Sequence, residues 1–264
     1  MSVGVMERIL NIEYSRLPGA PGNTELHFRM AAAAGFDGLK ADMRLTKDGE
    51  IVLCHDAGYT FDRDHRITEF DADSHTAIHD LTLKEILELE FDTPAENGDP
   101  IHPCTLDTML SVCKENRLIP YLTNRHEEWR EETAERMAFL LRRYGLENGC
   151  IMNLYPGDPR TMKAIRRVLP DPVACDTKHD YDLFSEQMIE DSAAQGYRII
   201  CLCHRSTAPV TKELVSFTFR KGIRIWEWGM TEPEEVKNYL DLGIGGFQMY
   251  TRKVTNSVIR EMGY

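Results

Sequence analysis

The segment Gly38 to Asp56, GLKADMRLTKDGEIVLCHD, most constrains what this chain can fold into. Leu39, Ala41 and Met43 alternate with Lys40, Asp42 and Arg44, which is the period of a β-strand. Asp48-Gly49 comes next and predicts a two-residue type I′ turn, whose central positions both need positive φ. Ile51, Val52 and Leu53 then form a returning strand that ends on His55-Asp56. If the first strand is half buried, Lys40, Asp42 and Arg44 share one of its faces. A strand tip carrying Asp42, with His55 close by, suits acid–base or metal chemistry.

Around this hairpin the chain alternates strand-like and helix-like runs. Strands are expected at Arg8–Glu13, Arg117–Thr123, Cys150–Leu154, Pro172–Cys175, Tyr197–Cys203, Gly222–Trp228 and Ile244–Tyr250. Helices are expected from Asn23 or Thr24 to Ala34, from a Thr105 cap to Asn116, and over Glu127–Tyr144, Pro159–Val168, Tyr181–Ala194, Val210–Lys221 and Pro233–Leu242, with one more at the end. Alternating βα units imply a parallel sheet. Eight of them in 264 residues predict a closed (β/α)8 barrel, a TIM barrel forming one domain over 1–264. Residues 50–104, after the second strand, read as a hairpin and loop insertion, polar and irregular from Gly58 to Asp80, with a short helix capped by Thr82.

A barrel of this kind places its site at the C-terminal ends of the strands. Those ends carry Arg16, Asp42, Arg44, Thr123, Asn153, Asp176, Glu227 and Trp228. A net charge of −12 argues against nucleic acid or an anionic membrane as a partner through bulk electrostatics. The sequence contains no apolar run long enough for a membrane span and no secretory pattern at its start, and the expected setting is cytoplasmic. The seven cysteines include no CxxC pair, and Cys201 and Cys203 read as buried small hydrophobes on one strand face. His65, His75 and His79 read as solvated loop residues.

The hairpin also resembles the glycerophosphodiester phosphodiesterase family, whose pattern here is E-x-D-x-x-x-T-K-D-G-x-x-V-x-x-H-D. Asp42, Thr46, Lys47, Asp48, Gly49, Val52, His55 and Asp56 match it. LTLKEILEL, IHPCTLDTML and IRIWEWGMTEPEEVKNYLDLGIGGFQM resemble later family segments in the same order. The resemblance implies a barrel with the hairpin inserted. It also implies hydrolysis of a glycerol phosphodiester to glycerol 3-phosphate and an alcohol, as part of lipid metabolism, by two histidines and a divalent cation held by carboxylates.

Several positions depart from that pattern. The family's His-Arg is Ser15-Arg16, its P-E-N-T is Pro21-Gly22-Asn23-Thr24, the glutamate of E-x-D is Lys40, and the later E-x-K is Tyr121-Leu122-Thr123. An ammonium about 4 Å from a dication is repelled by roughly 8 kcal/mol at an effective dielectric of about 20. Micromolar metal binding is worth only about 8 kcal/mol in total. No metal ligand set is therefore expected. The expectation is a degraded active site that binds a small phosphorylated or anionic molecule without metal. His55 is its candidate catalytic residue, and Arg16, Lys40, Asp42, Glu227 and Trp228 are its candidate substrate-binding residues. One alternative is a working metal-dependent phosphodiesterase drawing ligands from Asp176 or Glu227, and another is a non-catalytic interaction protein. Whether the chain is an enzyme stays open at this point.

Overall fold

The computed structural model describes residues 9–14, 17–68, 74–124, 131–154, 159–169, 171–177, 184–203, 210–249, 251 and 255–264. Strand β1 (Leu10–Glu13) leads to helix α1 (Glu25–Ala34), and β2 (Gly38–Leu45) leads into the insertion. The insertion contains β3 (Ile51–Leu53), β4 (Gly58–Phe61), β5 (Ser74–Ala77), the short helix α2 (Leu83–Leu87) and β6 (Cys104–Thr105), and ends at α3 (Leu106–Asn116). Five further units follow: β7 (Ile119–Thr123) and α4 (Glu131–Tyr144), β8 (Ile151–Asn153) and α5 (Pro159–Val168), β9 (Val173–Thr177) and α6 (Glu186–Ala194), β10 (Ile199–Cys203) and α7 (Lys212–Arg220), β11 (Arg224–Trp228) and α8 (Pro233–Leu242). The last unit is β12 (Gly246–Met249) with α9 (Asn256–Glu261). Eight of the strands pair in parallel around a ring, β1-β2-β7-β8-β9-β10-β11-β12, and β12 returns to β1. This is the (β/α)8 barrel that the alternation predicts.

Strand alternation divides the core in two. Outward residues such as Leu39, Ala41, Met43, Met152, Ile200, Ile225 and Phe247 pack with Phe28, Leu110, Met137, Ile165 and Val236 of the helices. Inward residues Leu10, Ile12, Tyr121, Ile151, Val173, Ile199 and Trp226 fill the barrel itself. The second strand is consequently buried on both faces, where a half-buried strand was expected. Trp226 has its space because β12 begins with glycine: a Cβ on Gly246 would lie 2.4 Å from the indole.

The hairpin turn departs from the type I′ expectation. Gly49 alone in the turn has positive φ, at 79°, and its amide bonds to the Thr46 carbonyl while the Thr46 amide bonds to that of Glu50. This is a three-residue loop ending in a left-handed glycine, selected by the Thr46 hydroxyl, which bonds Asp48 and accepts from the Glu50 amide. The insertion is also more ordered than its composition suggests. β4 and β5 pair antiparallel, and Val52, Tyr59, Phe61, Ile67, Ile78 and Ile86 make a small core of their own. The apolar residues there are spaced among Asp and His, which hides the pattern in a linear reading. Thr24, Thr82 and Thr105 cap α1, α2 and α3 as expected.

Gly246→Ala is expected to lower stability by about 1–3 kcal/mol, because the indole cannot move within a filled barrel. Urea unfolding followed by Trp fluorescence measures it, and an unchanged midpoint would contradict this packing account.

Candidate active site

β2 brings the charged residues of the mouth together. Lys40, Asp42 and Arg44 all point inward, on the face opposite Leu39, Ala41 and Met43. Lys40 is only 2% exposed and Asp42 is fully buried. The Lys40 ammonium donates to both Asp42 carboxylate oxygens at 2.5 Å. It also sits 4.6 Å from the centroid of the Tyr14 ring, a cation–π distance. Tyr14 stacks on Trp228 with centroids 5.5 Å apart and planes 9° from parallel. Asp42 is fixed from the other side by Asn23: the amide donates to its carboxylate at 3.2 Å, and the amide oxygen accepts from the Asp42 backbone at 3.0 Å. Asn23 reaches this position with φ at 59°, a left-handed conformation that Asn tolerates better than most residues.

His55 follows β3. The amide of Cys54, its neighbour, donates to the Asp42 carbonyl, and the His55 carbonyl accepts from the Arg44 guanidinium at 2.8 Å. The His55 ring is partly exposed, with Nδ1 2.8 Å from an Asp56 carboxylate oxygen. Lys40, Asp42, Arg44, Tyr14, Asn23, Trp228 and the His55 segment therefore form one connected group. Arg16 lies outside the described residues.

The remaining inward positions at the strand ends are neutral. Thr177 donates to Asn153 at 2.8 Å, and Asn153 donates to Thr123 at 3.3 Å. Beneath them Gln248 donates to the Tyr121 hydroxyl at 2.8 Å and to the Cys201 sulfur at 3.0 Å. On the inward faces of the described barrel strands, Asp42 is the one carboxylate.

The family model for glycerophosphoryl diester phosphodiesterases matches residues 15–249. The chain belongs to that family. It is 24% identical to the uncharacterized Bacillus subtilis protein YqiK, over 86% of this chain and 88% of that one. A structure from Silicibacter pomeroyi DSS-3 assigned to the same family superposes with a TM-score of 0.81 at 21% identity, covering 99% of this chain and 98% of that one. An Oleispira antarctica phosphodiesterase, solved in complex with the product sn-glycerol-3-phosphate, superposes at 0.75 with 15% identity, covering 95% and 96%.

Within this glycerophosphodiester phosphodiesterase barrel, two strand-end acids stand apart from the mouth. Glu227 lies between Trp226 and Trp228 in sequence and so faces the helices, beside Tyr239 of α8. It is 1% exposed, its Oε2 has no hydrogen-bond partner among the described residues, and burial pushes its carboxyl up to about 9. The structure does not bring it together with Lys40 and Asp42, as its place at a strand end had suggested. Asp176 also faces the helices, where it accepts from Ser192 of α6 at 3.0 Å. A third acid, Glu13, lies 3.1 Å from His27 of α1, both fully buried on the helix side of β1. Burial raises the thiols of Cys54, Cys104 and Cys150 to about 12, which makes them inert packing groups at neutral pH.

Arg44 was placed at the mouth from sequence but not among the substrate-binding candidates, and two further mouth residues were missing altogether. Tyr14 continues the inward series of Leu10 and Ile12 one step past β1. Asn23 is the asparagine of the family's P-E-N-T stretch, retained where the glutamate is not.

Glu227 gives a pH prediction. Its folded-state carboxyl is held above its ordinary value of 4.5, so its favourable contribution is complete below that value. As pH rises the unfolded chain ionises first, and the contribution is lost progressively up to about 9. Glu227→Gln removes this dependence. The thermal midpoint of the variant is expected to gain on the unmodified protein steadily from pH 5 to pH 9, by up to about 1.4 kcal/mol of stability per pH unit. A constant difference across that range would contradict the raised titration of this buried carboxyl.

Proposed function

We propose that this family member binds a small phosphorylated or anionic molecule at its barrel mouth without a divalent cation, and that its phosphodiesterase activity is lost or redirected. The observation that carries the reading is the pair of 2.5 Å contacts from Lys40 to both oxygens of Asp42. The acid that the family resemblance makes a cation ligand already serves an ammonium. A hard cation asks for several oxygen ligands. Asp176 and Glu227, which a metal-dependent site would have to recruit, face the helices instead. The residues present do not fit the family's cation, and no step here runs through one.

An anion has better partners. The same strand end carries two cations, Lys40 and Arg44. Arg16 adds a third by family resemblance. An ammonium and a planar guanidinium are the groups that suit phosphate oxygens. Asp56 at Nδ1 orients the His55 ring, which then meets the ligand as a hydrogen-bonding group or a lone acid–base. Trp228 supplies an apolar wall. The seven free cysteines fit a reducing, cytoplasmic setting, which belongs to the same proposal. The Oleispira phosphodiesterase makes sn-glycerol-3-phosphate the natural first probe.

Calorimetric titration of that probe, with EDTA and then with Mg²⁺ or Ca²⁺, tests the reading. Binding to the unmodified protein is expected to be indifferent to metal, and Lys40→Glu is expected to weaken it at least tenfold, about 1.4 kcal/mol. Metal-stimulated turnover of glycerophosphocholine by the unmodified protein, or unchanged affinity in Lys40→Glu, would overturn it.

A further inference from the structure

The charge of the chain is unevenly placed. Residues 50–104 contain 14 aspartates and glutamates against three lysines and arginines, a net of −11, which leaves −1 for the rest of a chain whose total is −12. This acidic insertion stands at the mouth end of the barrel, because β3 pairs with Met43 to Leu45, beyond the part of β2 that pairs with β7. The opposite end is basic. Between Gln195 and Trp226 there are six lysines and arginines and one acid, Glu213.

Four of those cations gather where α7 ends and the neighbouring strands begin. Arg220 closes α7, Lys221 follows it, and Arg224 opens β11. Arg198 immediately precedes β10, and its carbonyl accepts from the Arg224 amide at 2.9 Å. Two aromatic rings lie among them. The Arg224 guanidinium is 5.1 Å from the centroid of Phe219, and the Arg220 guanidinium and Lys221 ammonium are 5.5 and 5.1 Å from that of Phe217. Phe219 is 64% exposed, the most open of the large hydrophobic side chains among the described residues. Lys221 pairs with Glu190 at 2.7 Å, while Arg198, Arg220 and Arg224 have no carboxylate partner among the described residues.

The helix macrodipole accounts for Arg220 and Lys221, which sit at a helix C-terminus. It does not account for Arg198 and Arg224 at the starts of strands, nor for an open phenyl ring beside Arg224. Long cationic side chains around an apolar ring suit a layered partner, with phosphates outermost and apolar carbon just beneath. An anionic bilayer has that order. An acidic protein would supply the charges, but it would need an apolar group fitted to one ring, which a bilayer offers anywhere on its surface. Screening limits the reach of surface charge to about 8 Å at physiological salt. The acids of the insertion, across the barrel, therefore do not oppose contact through the basic end. The net charge that weighs against an anionic membrane for the whole chain does not apply to this face.

We propose that the end of the barrel opposite the mouth docks on an anionic phospholipid bilayer. Phe219 enters the acyl boundary, and Arg198, Arg220, Lys221 and Arg224 lie on the lipid phosphates. One ring and four cations make the attachment reversible, and the mouth faces away from the lipid. The surface is separate from Lys40 and Asp42, so it stands whatever the mouth binds.

Vesicle sedimentation of the full chain tests this. Equimolar phosphatidylglycerol–phosphatidylcholine vesicles are compared with pure phosphatidylcholine vesicles, at low and high salt, for the unmodified protein, Phe219→Ser and Arg220→Gln/Arg224→Gln. Phe219 and Arg220 are exposed and Arg224 half-buried, and circular dichroism confirms that each variant is folded. At low salt the unmodified protein is expected to partition at least tenfold more strongly to the anionic vesicles, with that preference lost at high salt. Each variant is expected to lose at least tenfold in partitioning to the anionic vesicles. No binding to anionic vesicles, equal binding to both kinds, or binding that survives in either variant would overturn the proposal. Retention on immobilised polyglutamate without vesicle binding would also overturn it and would assign the patch to an acidic protein.

Discussion

The buried ion pair between Lys40 and Asp42 organises this barrel's mouth. Both groups are out of water, and the amino group spans both carboxylate oxygens at 2.5 Å. A buried pair is weak evidence for stability in itself, since desolvation offsets much of the attraction. Removing one partner is a different matter, because it strands the other charge and costs about 3–5 kcal/mol. The neighbours follow from this. Asn23 adopts a left-handed backbone and bonds Asp42 twice, and Tyr14 covers the ammonium with its ring. Trp228 in turn stacks on Tyr14. The aromatic wall, the β1–α1 segment and the second strand thus all meet at this pair of charges.

Alternation along the strands decides what else the mouth can contain. A residue at a strand end is available to a ligand only if its parity is inward. Glu13, Asp176 and Glu227 all miss by one residue, and each has found a place in the helix layer: beside His27, beside Ser192 and, without a hydrogen-bond partner on one oxygen among the described residues, beside Tyr239. Among the described residues the inward set at the strand ends is instead Asp42, Lys40, Arg44 and a run of hydroxyls and amides. This surface holds, among the described residues, no cluster of three or more His, Cys, Asp or Glu side chains of the kind that holds a metal ion.

Much of the fold was legible because each level of the sequence agrees with the others. The period of two over Leu39 to Arg44, the threonine caps and the regular strand–helix spacing all point to one barrel, and the bounds of α5 and α8 match to the residue. The small sheet of the insertion was not legible, because Tyr59, Phe61 and Ile67 are embedded in turn-forming, charged sequence and reveal their purpose only against Val52 and Ile86. At the site, Lys40, Asp42 and Trp228 were visible as strand-end residues. Glu227 was misplaced because proximity to a strand end was weighed without its parity against Trp226, which the barrel interior claims. Tyr14 was missed because it sits one position beyond the strand that orients it.

The central claim is that the Lys40 ammonium stands in for the family's divalent cation. Equilibrium dialysis of the unmodified protein against Mn²⁺, with and without sn-glycerol 3-phosphate, tests that claim most directly. The account predicts no saturable site below about millimolar, since repulsion from a neighbouring ammonium cancels the roughly 8 kcal/mol that a micromolar site would need. One equivalent of Mn²⁺ bound at micromolar concentration, in either condition, would contradict it.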